Sequence, residues 1–151
     1  PSANSVSALN LLRLSEITGV EKFSIRAEET IKSCGTILSE NSHALPQMLV
    51  ALNFARKRKS RVILSGELYT PEMAQLRAVI DGRYLPGNVI MHASNELISI
   101  QRFPESIQTG AVHPQASLCI DRTCLLPIND PEMLAEALDK VMPSKTKGTS
   151  Y

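Results

Sequence analysis

The hydrophobic period of the chain changes once, at the basic run Arg56, Lys57, Arg58, Lys59 and Arg61. Before it, apolar residues recur at helical spacing. After it come short apolar runs of strand length, alternating with capped helices. That order predicts a helical segment followed by a small α/β segment.

Three helices are predicted before the switch, over residues 3–18, 21–39 and 43–58. The first carries Val6, Leu9, Leu12 and Ile17, with Leu11 and Leu14 widening the stripe. Ser2 or Asn4 suits its start and Gly19 its stop. The second carries Phe23, Ala27, Ile31 and Cys34 on one face, with Gly35 interrupting the pattern. Cys34 therefore reads as a core residue. The third, "HALPQMLVALNFARKRK", tolerates Pro46 because it lies in the first turn. Such short connections predict antiparallel packing.

After the switch, "RVILSG", "NVIMHA" and "ASLCI" read as buried strands. "TPEMAQLRAVIDGRY" and "DPEMLAEALDKVM" read as helices, capped by Thr70 and Asp130 and each led by a proline. Strand, helix, strand, crossover, strand, helix predicts a three-to-four-stranded, mainly parallel, Rossmann-like sheet over residues 60–142. The crossover from 93 to 115 is ambiguous: "ELISIQ" reads as an extra edge strand and "PESIQTG" as a helical turn. The polar end "PSKTKGTSY", residues 143–151, reads as a disordered tail.

The totals narrow the class. At 151 residues the chain is long enough for a real core. A net charge of +1 gives no global field toward nucleic acid or an anionic membrane. No apolar run reaches the roughly 20 residues that span a bilayer. Three cysteines, Cys34, Cys119 and Cys124, are too sparse and odd a set for a secreted disulfide scaffold, which favours a reducing, cytoplasmic compartment. The chain begins at Pro1 rather than Met, so it reads as a piece of something longer, and a secreted parent stays open.

Five segments in order, "PSANSVSALNLLRL", "HALPQML", "RVILSG", "RYLPGNVIM" and "CIDRTCLLPINDPEML", resemble the C-terminal end of the spermatogenesis-associated protein 20 family. The family joins a thioredoxin-like domain to an α/α toroid like that of the N-acylglucosamine epimerases and six-hairpin glycosidases. The resemblance implies that residues 1–59 are the last helices of an incomplete toroid, with residues 60–142 an appended α/β domain. It implies as partners the remainder of the toroid and the thioredoxin-like domain, with self-association of the isolated chain and a carbohydrate ligand as further partners. It implies a link to sperm development. The alternative is part of a sugar-processing or thiol-redox enzyme. One departure stands out: Asp121 follows Cys119 by two residues, where the family often carries Asn.

Four sets of residues are candidates for chemistry. Cys119 and Cys124, in a Cys-x-x-x-x-Cys spacing, read as structural thiols, as a disulfide or redox-sensitive pair, as metal ligands with His113 and Asp121, or as catalytic residues. In a parallel sheet, Glu67, His92, Asp121 and Arg122 gather at the carboxyl ends of the strands, against the simpler reading of a solvated rim. Asn4, Ser5 and His43 lie at helix starts, where the resemblance places sugar-holding groups and where helix capping is the plainer role. The basic run from Arg56 to Arg61 reads as a helix C-terminus answering its dipole, since no aromatic residues interleave to stack bases. No glycine-rich phosphate loop is present, so no cofactor is expected.

Overall fold

The structure, a computed structural model, describes residues 2–100, 107, 113–121 and 123–142. Its elements run α1 (Ala3–Thr18), α2 (Glu21–Ser33), α3 (Gly35–Glu40), a 3-10 turn (Ser42–Ala44), α4 (Pro46–Arg56), β1 (Ser60–Ser65), α5 (Pro71–Asp81), β2 (Asn88–His92), α6 (Asn95–Ile100), β3 (Gln115–Ile120), β4 (Thr123–Cys124) and α7 (Pro131–Val141). The first of two compact units runs through Lys59 and also takes in Ser99 and Ile100; the second opens at Ser60.

In the first unit α1 packs against both α2 and α4. Ser2 caps α1 by accepting from the Ser5 N–H, and Gly19 ends it in the left-handed conformation. Ala8, Leu9 and Leu12 of α1 meet Ala27 and Ile31 of α2 and Met48 and Ala51 of α4. Three of these are fully buried alanines, which let the helix axes approach closely.

The buried stripe of α1 is Ser5, Ala8, Leu9, Leu12, Ser15 and Glu16. These positions follow the 3-4-3 spacing of one helical face. Val6 and Leu14, expected in the stripe, are exposed instead. Buried Glu16 pairs with Lys59 at 3.1 Å, which offsets the cost of covering a carboxylate. The expected second helix is divided at Cys34, where α2 ends and α3 begins at Gly35. Cys34 is half-buried against the helical core.

The second unit holds a four-stranded sheet in the order β2-β1-β3-β4. β1 pairs parallel with β2, Val62 facing Ile90, and antiparallel with β3, Val62 facing Leu118. The sheet is therefore mixed, mostly antiparallel with one parallel pair, which corrects the mainly parallel expectation. Two-sided burial of "ASLCI" carries no information on strand direction, because β3 is buried on both faces while running against β1. "ELISIQ" is corrected too: Asn95–Ile100 is helical, started by the Leu97 N–H donating to Ser94 Oγ. "PESIQTG", apart from Ile107, and the tail 143–151 lie outside the described residues.

α5 and α7 cover one face of this sheet. Met73, Leu76 and Ile80 of α5 and Leu134 and Leu138 of α7 close over Val62, Leu64, Ala116 and Leu118. Thr70 and Asp130 cap these helices as the sequence predicts, each accepting from the N–H three residues on. The two helices are tied at their exposed side by Arg83, whose Nε and Nη2 grip the Asp139 carboxylate at 2.9 and 3.1 Å. The same guanidinium donates to the carbonyls of Val79 and Ala135.

Arg83 holds the Asp139 carboxyl below the usual aspartate range, chiefly by hydrogen bonding. A carboxyl depressed in the folded state contributes stability above its unfolded pKa of about 3.9 and loses it as pH falls through the lower folded value. Asp139→Asn should therefore lower the urea midpoint at neutral pH. The gap to the unsubstituted chain should close in strong acid; a gap that is the same at both pH values would show the pair to be neutral for stability.

Candidate functional site

The two ends of the second unit's sheet carry different chemistry. Because β3 is antiparallel to β1, the carboxyl end of β3 lies beside the start of β1: Ile120 is opposite Ser60. This separates the four rim candidates. Glu67 and His92 stay at the carboxyl ends of β1 and β2, while Asp121 turns away at the other end of the sheet. Arg122 lies outside the described residues. The expected single rim is thereby corrected.

At the first end, His92 Nε2 donates to the Gly66 carbonyl at 2.8 Å. Gly66 has φ 105°, and a Cβ there would sit 2.8 Å from Pro114 Cα. Both the left-handed φ and the close approach of the backbone leading into β3 demand glycine. Beyond β2, the Glu96 carboxyl is held below its usual range, first by its own backbone N–H and then by the Ser94 hydroxyl. These are turn and cap bonds.

At the other end, Cys119 and Cys124 are joined by a disulfide, with Cα atoms 3.9 Å apart. Of the readings left open by the spacing, this is the one the structure adopts. The two cysteines face each other across β3 and β4, and Ile120 faces Thr123. Asp121 opens the tight turn with φ 53°, a left-handed conformation that short polar side chains such as Asp and Asn tolerate.

The ladder continues with Leu125 N–H donating to the Leu118 carbonyl, and then Ala116 and Ile128 exchange two bonds of 2.8 Å. One residue of β3, Ser117, thus opposes two on the returning chain, a β-bulge at Leu126 and Pro127. Proline suits the bulge because it has no N–H to place.

The register also sets Arg61 of β1 directly opposite Cys119. Arg61, Cys119 and Cys124 therefore form a row across three strands on one face. Arg61 Nη2 donates to the Asp121 carbonyl at 3.0 Å, so the guanidinium lies along the hairpin. Cys119 is fully buried and Cys124 half-buried on the edge strand.

The remaining candidates are placed as follows. His113 is exposed next to Pro114, at the opposite end of β3 from the disulfide. Among the described residues no three His, Cys, Asp or Glu side chains gather to hold a metal ion. Asn4 is exposed in the first turn of α1, and His43 lies within the 3-10 turn. Ser5 is buried and bonded to Ser2 as part of the α1 cap. Arg56 ends α4, followed by exposed Lys57, Arg58 and Lys59, so most of the basic run sits at a helix C-terminus. No helix among the described residues is long and apolar enough to cross a membrane.

Sequence reasoning missed Ser65 and Ser117. Both are fully buried, both lie on the face that carries Cys119, and neither hydroxyl has a hydrogen-bond partner among the described residues. They are diagonal neighbours, since Ser117 faces Ile63 and Gln115 faces Ser65. A serine within an apolar strand run is the signal that marks them.

With the geometry in place, the chain can be set beside known proteins. It aligns with human spermatogenesis-associated protein 20 over 142 residues at 28% identity, covering 91% of this chain and 18% of the human protein. The chain is homologous to spermatogenesis-associated protein 20. The rat protein of the same name matches equally, at 28% identity, and an uncharacterized Caenorhabditis elegans protein, B0495.5, matches at 24% over 93% of this chain. The chain spans less than a fifth of the length of these relatives. No family model matches, and no solved structure matches.

Two substitutions test this end-to-end description of the sheet. Gly66→Ala should cost about 2 kcal/mol or more in urea unfolding, from the φ penalty and the collision with Pro114. An unchanged midpoint would mean that the β1 exit does not approach Pro114. Ser117→Ala should be neutral or stabilise by up to about 1 kcal/mol, since it removes an unsatisfied buried hydroxyl. A clear loss of stability would reveal a partner for that oxygen.

Proposed function

We propose that this chain is a structural and binding part of a larger spermatogenesis-associated protein 20-like protein and carries no complete active site of its own. The observation behind this reading is the lopsided match: nearly all of this chain aligns, against less than a fifth of each relative. The helical part is then the closing section of an α/α toroid, and the rest of the parent polypeptide is its partner. The name of the mammalian relatives ties them to spermatogenesis, and the proposal extends that setting to this chain.

The surface of the helices fits such a role. Val6 and Leu14 of α1, Ile25 of α2, and Leu49 and Val50 of α4 are each between 38% and 49% exposed, although these helices have a buried side elsewhere. α1 in particular packs Ala8, Leu9 and Leu12 against α2 and α4 and leaves Val6 and Leu14 outside. Helices with apolar residues on two sides belong in the middle of a larger helical layer.

Sedimentation of the purified chain over a range of concentrations tests the reading. Exposed apolar helix surface should drive reversible self-association, and Ile25→Glu with Val50→Glu should shift the population toward monomer without lowering helix content. A chain that stays monomeric at all concentrations would remove the argument for a missing helical partner.

A further inference from the structure

We propose that Cys119–Cys124 is a thiol–disulfide exchange site: an external thiol of the glutathione class attacks Cys124, and Cys119 leaves as a thiolate stabilised by Arg61. Three independent features of the second unit carry this. The sulfurs differ in access, because Cys119 is fully buried in β3 while Cys124 is half-buried on β4, the edge strand. The sulfur within reach of an incoming thiolate is therefore that of Cys124. A cation comes from the strand that flanks the leaving sulfur: Arg61 stands directly opposite Cys119 in the register, and its Nη2 donates to the Asp121 carbonyl, two residues beyond Cys119. A neighbouring arginine lowers the pKa of a thiol and makes it a better leaving group.

The third feature is what the bond does for the fold. It closes a loop with a sequence separation of only 5. On the chain-entropy account so short a loop adds about 2 kcal/mol, at the low end for a disulfide. The hairpin is meanwhile held by its ladder, from Leu125 to Leu118 and from Ile128 to Ala116. Opening the bond leaves those hydrogen bonds in place, so the exchange proceeds in the folded chain.

The step balances. The incoming thiolate forms a bond to Cys124 Sγ as the Cys119–Cys124 bond breaks, and Cys119 departs with the electron pair. A second thiolate then attacks the external sulfur of the mixed disulfide and releases Cys124 as a thiolate. Two external thiols are oxidised to one disulfide, the protein disulfide is reduced to two thiols, and the two protons end on the cysteines or in solvent. Run backward, an external disulfide reoxidises the pair. The inference stands apart from the proposed function and holds whether or not the helices dock on a larger toroid.

The folded full-length chain, incubated with stepped mixtures of reduced and oxidised glutathione, quenched in acid, alkylated and weighed by mass spectrometry, gives the test. The pair should open with the far-UV circular dichroism unchanged. Cys119→Ser should trap one glutathione on Cys124, whereas Cys124→Ser should leave Cys119 unmodified until denaturant is added. Arg61→Gln should slow opening by roughly three- to tenfold, with Arg61→Lys restoring most of the rate. A pair that stays closed until the chain is unfolded, or glutathione that adds equally to either cysteine, would overturn the proposal. The first arm needs no substitution, so it decides the matter even where a variant fails to fold.

Discussion

β1 holds the second unit together. Among the described strands it is the one with a full-length neighbour on each side, parallel to β2 and antiparallel to β3. Val62 and Leu64 face α5 and α7, while Ile63 and Ser65 are buried on the opposite face. Fully burying each such aliphatic side chain contributes about 1.5–3 kcal/mol, and the strand can do this on both faces only because its backbone groups are paired on both edges. Its ends then decide where chemistry lies. The Gly66 turn and His92 sit at one end, and Arg61 beside the cysteine pair sits at the other.

Local chemistry is legible in the residues. Thr70 and Asp130, each followed by proline, start helices because a side-chain oxygen meets an orphan N–H three residues on, a relation confined to one turn. Gly19 stops α1 for an equally local reason. The change of hydrophobic period at the basic run marks the passage from helices to strands, because helix and strand spacing differ over a few residues. The likeness to spermatogenesis-associated protein 20 is legible as well, and the alignment at 28% identity over 142 residues agrees with it.

Nonlocal relations are not. An apolar run states that a strand is buried but not which way it points, so the pattern alone gives β3 the direction of β1 and β2, and the register reverses it. That one reversal scatters the rim residues, since it puts Asp121 at the far end of the sheet from Glu67 and His92. In α1 the pattern places Leu9 and Leu12 in the buried stripe, as found, but the stripe is completed by Ser5, Ala8, Ser15 and Glu16 while Val6 and Leu14 are exposed. Counting apolar residues favours Val6 and Leu14. The chain covers Glu16 instead, with Lys59 as its counter-charge. Pattern reading assumes that apolar residues take the buried positions, and it fails where small or charge-paired polar residues take them instead.

The cysteine pair combines both kinds of relation. The turn opened by Asp121, which brings Cys124 opposite Cys119, is local, and its left-handed φ is the kind of conformation that an Asp or Asn there permits. The arginine beside it comes from a strand some sixty positions earlier in the chain, and only the register of β1 against β3 places it there. A short-loop disulfide on an already hydrogen-bonded hairpin contributes little that the ladder does not supply. What sets this pair apart is its surroundings: one cysteine fully buried, the other on the edge strand, and an arginine opposite the buried one in the strand register. That arrangement distinguishes the two sulfurs chemically, which a staple would not require and an exchange reaction does.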